Sequence, residues 1–168
     1  SRQALLEQLR VSSAADRNRR LALPPVIGRL GLITAATGEA GRRDFLLRLA
    51  AYPSPITVNE RRTPLSGPVA PRAIAEAVDE LGELSPEVIV ICRGGGASSD
   101  LAAFDTAEVA TAIARSPVPV LLGIGHSTDR TVADLTAHTS VATPTAAADW
   151  LVGRATKVTS SPVPQSVP

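Results

Sequence analysis

Hydrophobic positions along this chain fall into short continuous runs separated by longer segments of mixed polarity. The runs RLGLIT (29–34), SPITVNE (54–60), EVIVIC (87–92) and VPVLLGIG (118–125) predict four β-strands. The run EVIVIC has no polar residue after Glu87, which is typical of a strand buried on both faces of a parallel sheet.

The segments between these runs have the spacing of helices. Ile74, Ala77, Val78 and Leu81 form one apolar stripe, which predicts a helix over 71–84. Further helices are expected over 42–50, over 100–115 with Ser98 or Ser99 as N-cap, over 127–137 with Ser127 or Thr128 as N-cap, and after Thr143-Pro144-Thr145. Alternating strands and helices predict an α/β fold, an open and mostly parallel sheet with helices on both faces, as in Rossmann-like and flavodoxin-like layers. Such sheets bind ligands outside the carboxyl ends of their strands.

Composition divides the chain into three parts. We expect a charged connecting segment over 1–23, the α/β domain over 24–154, and a disordered Pro/Ser-rich tail over 155–168.

Cys92 is the only cysteine, which excludes an internal disulfide and fits a reducing cytoplasm. No apolar run is long enough to span a membrane, so we expect a cytoplasmic location and no membrane partner. The chain starts with Ser1 and contains no Met, so we expect it to be a piece of a longer protein.

Charge is unevenly distributed, although the net charge is only +1. Residues 1–72 hold 12 of the 17 Lys and Arg residues but only 5 of the 16 acidic residues, so the first half could meet a polyanion. A solvated surface of mixed charge is the simpler interpretation of the same numbers. With only four aromatic residues, the chain has too few for a base-stacking platform like those of single-strand binders.

A glycine-rich loop follows the most apolar predicted strand. Arg93 is followed by Gly94, Gly95 and Gly96, which place three flexible residues at the ligand-binding edge of the sheet. Glycines let backbone N–H groups approach a phosphate, and arginine adds donors that match phosphate oxygens. The motif lacks the Lys-Ser/Thr ending of a nucleotide-binding P-loop, so ATP binding is not expected. The alternative is a tight turn beside an incidental surface arginine.

A second polar motif, GIGHSTD, follows the next predicted strand. His126 and Asp129 have the spacing of neighbours on a first helical turn, which suits a general acid or base and the carboxylate that orients it. Asp129 near a helix N-terminus is also favourable without any chemistry. Asp44, after the first predicted strand, is a candidate second carboxylate, with the same dipole alternative. Cys92 is expected to be buried packing and not a nucleophile.

Three stretches together, RLGLIT, ICRGGGASSDLAAFD and PVPVLLGIGHSTDRTVADLTAHTSVATPTAAA, resemble the large subunit of exodeoxyribonuclease VII. The resemblance implies hydrolysis of phosphodiester bonds in single-stranded DNA from both ends, with release of oligonucleotides. By motif it assigns catalysis to Arg93, His126, Asp129 and Asp44, and phosphate binding to Arg93 and Gly94 to Gly96. The family also has an N-terminal OB-fold that holds single-stranded DNA and a long helical region that binds small subunits. Both are expected outside this chain, so a small subunit would bind through a region missing here.

No metal ligand set and no required cofactor are expected. This edge of the sheet offers two carboxylates beside an arginine, whereas a hard-metal phosphodiesterase site usually needs several converging carboxylates. A Mg²⁺ requirement is the alternative. Two other functions also stay open: a catalytically silent phosphate- or nucleic-acid-binding module, and an inert fragment whose sheet supports other domains. Cys92 and Ala97 favour the silent module, because the family usually has glycine and serine there.

Overall fold

The protein is built around a five-stranded sheet, seen in a computed structural model that describes residues 1–94, 100–125 and 130–159. All neighbouring strands run parallel, in the order β2-β1-β3-β4-β5. The strands are β1 (Arg29–Ala35), β2 (Thr57–Thr63), β3 (Val88–Cys92), β4 (Val120–Gly123) and β5 (Thr139–Val141). The α/β fold class and the four strands predicted from apolar runs are therefore confirmed.

Helices cover both faces of this sheet. They are α1 (Arg2–Val11), α2 (Ala40–Leu49), α3 (Ala70–Glu83), α4 (Ala107–Arg115), α5 (Val132–Thr136) and α6 (Pro144–Thr159). The chain steps from β1 outward to β2, then crosses back over β1 to β3 and continues to β4 and β5. Because parallel crossovers are right-handed, this reversal puts α2 and α3 on opposite faces. Helix α6 returns to the face of α2 and packs beside it.

The sheet separates two apolar layers. On one face, Phe45 of α2 and Leu151 of α6 pack with Leu32 of β1. On the other face, Ile74 of α3 packs with Ile91 of β3. Strand β3 is buried along its whole length, as its unbroken apolar run predicted.

The helix predicted over 100–115 is wrong in its first part. Residues Ala102–Asp105 form a short 3₁₀ helix, and α4 begins only at Ala107. The Thr106 hydroxyl accepts the Val109 N–H at 3.4 Å, so Thr106 is the N-cap in place of Ser98 or Ser99, which lie outside the described residues. The fully buried Phe104 explains the break, because it packs the 3₁₀ turn into the core.

The helix predicted over 127–137 is also shorter than expected. Helix α5 begins at Val132, and its cap is Thr131, whose hydroxyl accepts the Asp134 N–H at 3.2 Å. Asp134 in turn accepts the Thr131 N–H at 2.8 Å, which completes a capping box. The proposed caps Ser127 and Thr128 lie outside the described residues, and the N-cap of this helix is Thr131.

The first and the last of the described helices both pack on the domain. Within the predicted connecting segment, Leu9 of α1 packs against Ala110 and Val132. At the other end, α6 continues to Thr159 because Ala155 is fully buried against the domain, so 155–159 do not belong to a disordered tail. Residues 160–168 of the predicted tail lie outside the described part. No helix among the described residues is long and apolar enough to cross a membrane.

Candidate functional site

A cleft of about 420 Å³ opens at the carboxyl edge of the sheet, beside the ends of β1 and β3. Its walls come from the loop after β1, the first turn of α2, the segment after β2 and the end of β3. The lining residues are Ala35 to Gly38, Ala40 to Arg42, Pro64 to Ser66, and Cys92 to Gly94. The chain leaves β1 and β3 in opposite directions across the sheet, so the cleft lies at the switch point where open parallel sheets bind ligands.

Two glycines in the wall of the cleft bring its sides into direct backbone contact. A Cβ atom added to Gly41 of α2 would lie 2.4 Å from the backbone nitrogen of Gly94. A Cβ atom added to Gly94 would lie 2.8 Å from the backbone nitrogen of Gly41. Only glycine fits at either position with this spacing, because ordinary carbon contacts begin at about 3.5 Å. Packing against α2 is therefore one physical reason for the first glycine of the RGGG motif.

Arg93 and Gly94 are the predicted site residues that the structure describes in the wall of the cleft. Arg93 is the charged one of the two. It is half-buried, lines the cleft, and its backbone N–H donates to the Gly123 carbonyl of β4 at 3.1 Å. Cys92, just before it, is 1% exposed, and burial raises the pKa of its thiol well above the usual range. The prediction that Cys92 is buried packing is confirmed.

A network of ion pairs flanks the cleft. Arg42 of α2 donates from Nε to the Glu60 carboxylate of β2 at 2.9 Å, and the Thr34 hydroxyl donates to the same carboxylate at 2.9 Å. The hydrogen bond to Glu60 also raises the pKa of Arg42. Arg62, at the end of β2, pairs with Glu39 at 2.9 Å, and this contact lowers the pKa of Glu39.

Sequence reasoning missed this network. The signal was present in NERRT at the end of β2, because consecutive charged residues are out of place in a buried strand and typical of a sheet edge. What could not be inferred was the partner of each charge. The charged partners come from the segment between β1 and β2: Arg42 is 18 residues before Glu60, and Glu39 is 23 residues before Arg62.

Asp44 lies outside the described wall of the cleft. It is exposed on α2 and is absent from the residues that line the cavity. Because α2 begins at Ala40, Asp44 is also past the first turn, which weakens the helix-dipole alternative. Asp44 lies one helical turn before Arg48, and Arg48 approaches Asp149 of α6 at 3.9 Å. Asp44 is therefore on the side of α2 that faces α6.

The predicted residues His126, Asp129, Gly95 and Gly96 lie outside the described residues. The segments that carry them follow β3 and β4, which are neighbours with Cys92 paired to Gly123, so both segments start from the same edge of the sheet. Within 1–94, 100–125 and 130–159, no group of three or more His, Cys, Asp or Glu side chains is arranged to hold a metal ion.

Comparison with known proteins identifies the family. The family description "Exonuclease VII, large subunit" matches residues 14–162, which is most of the chain. The chain belongs to this family. The exodeoxyribonuclease 7 large subunit of Moorella thermoacetica is 43% identical over 150 residues, covering 83% of this chain and 34% of that protein. The large subunit of Desulforudis audaxviator is 39% identical over 149 residues, covering 88% and 36%. That of Desulfitobacterium hafniense is 38% identical over 135 residues, covering 80% and 33%.

The chain thus spans about a third of the length of the exonuclease VII large subunits that it matches. The family resemblance expected from the three sequence stretches is confirmed, and it extends over the β-sheet and both layers of helices.

Proposed function

We propose that this chain is the nuclease core of an exonuclease VII large subunit, and that it hydrolyses phosphodiester bonds in single-stranded DNA from both ends, releasing oligonucleotides. The observation that carries the proposal is the cleft at the switch point of the sheet, lined by Arg93 of the family's glycine motif. Membership of the family and the names of the relatives support the reaction class.

In this proposal each motif residue has one role. Arg93 and the backbone amides of Gly94 to Gly96 bind the scissile phosphate and stabilise the charge that develops on it. His126 activates the attacking water or protonates the leaving oxygen, and Asp129 orients His126. Asp44 supplies a second carboxylate from the side of α2 that faces α6. No cofactor takes part, and Mg²⁺ is not required.

Arg42, the other arginine that lines the cleft, already pairs with carboxylates. Arg42 is held at 2.9 Å by Glu60 and at 3.5 Å by Glu39, so most of its charge is already balanced by carboxylates. An incoming phosphate would have to compete with both of them. Arg42 therefore serves mainly to fix α2 against β2.

Two partners belong to the proposal. Single-stranded DNA is the substrate, and binding by residues 1–168 alone is weak and strongly salt-dependent, because few arginines flank the cleft and no row of aromatic side chains adds stacking. The relatives are named as large subunits, and we propose that a small subunit binds through parts of the protein outside this chain. Supplying those parts should strengthen binding and processivity.

One observation favours the second candidate, a silent phosphate-binding module. The contact between Gly41 and Gly94 gives the first motif glycine a packing role that needs no catalysis. A module that binds DNA phosphates without cleaving them would keep the same contact.

A single-turnover assay distinguishes these functions. Protein in excess is mixed with single-stranded DNA labelled at the 5′ or the 3′ end, with duplex DNA as the comparison. We expect short labelled products from either end of the single strand, and a loss of about 10²–10³ in rate for Arg93→Ala. Arg72→Ala is the matched control, because Arg72 lies on the exposed side of α3 with its side chain 82% exposed.

The outcomes separate cleanly. Binding without cleavage by the parent protein would select the silent module, and neither binding nor cleavage would select an inert fragment. Cleavage by Arg93→Ala at the rate of the parent would show that Arg93 has no role in the reaction.

A further inference from the structure

Arg62 binds three acceptors on the loop that forms one wall of the cleft. Its Nε donates to the Ala35 carbonyl at 2.9 Å, and its Nη2 donates to the Gly38 carbonyl at 2.9 Å. Nη2 also lies 2.9 Å from a carboxylate oxygen of Glu39. The strand end and the residue before α2 are thus tied to one guanidinium, which we call the Arg62 clamp: Arg62 with Ala35, Gly38 and Glu39.

Besides the Arg62 clamp, the loop is held at its end by Arg42, which lies 3.5 Å from the Glu39 carboxylate. Ala36 donates its N–H to the Thr63 carbonyl at 2.9 Å, and the Glu39 side chain, although at the N-cap position, makes no capping hydrogen bond to α2. Gly38 has a φ of +86°, a conformation that favours glycine. The planar fork of an arginine suits two carbonyls held at a fixed spacing, which a lysine ammonium cannot match.

The clamp also bears on the charge of the cleft wall. Carbonyl oxygens carry the negative ends of the peptide dipoles and repel an anion that comes near them. A guanidinium bonded to two of these oxygens and to a carboxylate offsets that repulsion without itself being a residue that lines the cavity.

We propose that Arg62 is a positioning residue of the cleft: it holds the loop 35–39 in the form that accepts a DNA phosphate, and does not contact the phosphate. This inference rests on the function proposed above. It predicts that removing the guanidinium weakens DNA binding without removing a phosphate contact.

Arg61 is the matched control, because it is the neighbouring arginine on β2 and its side chain points away from the clamped loop. It is the preceding residue on β2, and its Nε donates to Glu80 of α3 at 3.3 Å, away from the loop after β1. Arg61→Gln removes the same charge at nearly the same place and leaves the clamp intact.

The experiment compares the parent protein with Arg62→Gln, Arg62→Lys and Arg61→Gln. Binding of a labelled single strand of about 12 nucleotides is measured between about 50 and 200 mM salt. We expect Arg62→Gln to bind about tenfold more weakly at every salt concentration, with an unchanged slope of log affinity against log salt concentration. Arg62→Lys should recover only part of the affinity, and Arg61→Gln should bind as tightly as the parent. Amide hydrogen exchange over 35–41 should rise in Arg62→Gln and not in Arg61→Gln.

A salt slope lower by about 0.7 in Arg62→Gln would overturn the inference, because that is the change expected for a direct phosphate contact to a single strand. Unchanged affinity, or unchanged exchange over 35–41, would overturn it as well. These results leave the proposed function standing if the parent cleaves DNA. A parent that neither binds nor cleaves single strands overturns both the proposed function and the role of the clamp in binding.

Discussion

The contact between Gly41 and Gly94 makes a prediction that is independent of the reaction. In Gly41→Ala the added Cβ atom would lie 2.4 Å from Gly94 N, 2.9 Å from Gly94 Cα and 3.1 Å from Arg93 C. All three neighbours are backbone atoms, so no side chain can rotate away. The first turn of α2 has to move by about 1 Å to restore ordinary contact distances.

The size of the effect follows from what α2 buries. Phe45 is fully buried and Leu49 is 5% exposed, and both pack in the layer between α2 and the sheet. A gap of about 1 Å removes between a quarter and a half of the energy of a van der Waals contact. Overpacking a core typically lowers the free energy of unfolding by about 1–3 kcal/mol. Alanine is otherwise the better helix residue, by up to about 1 kcal/mol. We expect Gly41→Ala to be destabilised by about 2 kcal/mol.

Urea unfolding measures this loss, and thermal unfolding should show a decrease in Tm of about 4–8 °C. Gly153→Ala is the matched control, since Gly153 is inside α6 and a Cβ atom there would meet nothing within 4 Å. That variant should gain about 0.5–1 kcal/mol from helix propensity alone. If Gly41→Ala is as stable as the parent, the close approach of α2 to the end of β3 is not part of the folded protein.

Four further predictions concern catalysis, metal dependence and packing. His126→Ala should lose about 10²–10⁴ in cleavage rate with its unfolding midpoint unchanged, and activity equal to the parent would refute its assignment. Cleavage should persist in EDTA, because arginines already bind the carboxylates Glu39 and Glu60 beside the described cleft; loss in EDTA with recovery in Mg²⁺ would refute this. Asn18→Ala should lower the free energy of unfolding in urea by at least about 3 kcal/mol, because the buried Asn18 amide donates to two carbonyl oxygens and accepts from two backbone N–H groups at 2.9–3.1 Å. A decrease below about 1 kcal/mol would contradict this prediction. Because burial raises the pKa of Cys92, a thiol reagent should label the folded protein slowly and the urea-unfolded protein quickly, and rapid labelling of the folded form would argue against burial.

The sheet and α3 could be predicted because the hydrophobic pattern of each element lies within a short stretch of sequence and fits only one kind of element. Strand β3 is apolar at every position, and the stripe on α3 keeps helical spacing over two turns. Strand β5 had no such signal: it has three residues, two of them the polar Thr139 and Ser140, and it is a strand because it pairs with β4. Its existence depends on tertiary packing, which no window of the sequence contains.

The predicted starts of α4 and α5 are wrong, because each segment contains more than one residue that can act as an N-cap. The predictions chose serines and threonines close to the preceding strand, whereas the N-caps of α4 and α5 are Thr106 and Thr131. Phe104 decides the first case, since burying its ring requires the 3₁₀ turn before α4. In the second case Asp134, three residues after Thr131, forms the reciprocal hydrogen bonds that Ser127 and Thr128 would have to replace.

The three glycines of the RGGG motif do not all need the same explanation. Each loses more backbone freedom on folding than any other residue, so each position needs an interaction that offsets the loss. For Gly94 that interaction is the contact with Gly41, a packing contact within the protein itself. The same contact fixes the residue after Arg93, and so fixes where the arginine enters the cleft. The phosphate-binding role proposed for the motif therefore rests on Arg93 at the switch point of the sheet and on the motif as a whole, and Gly94 by itself is no argument for a ligand.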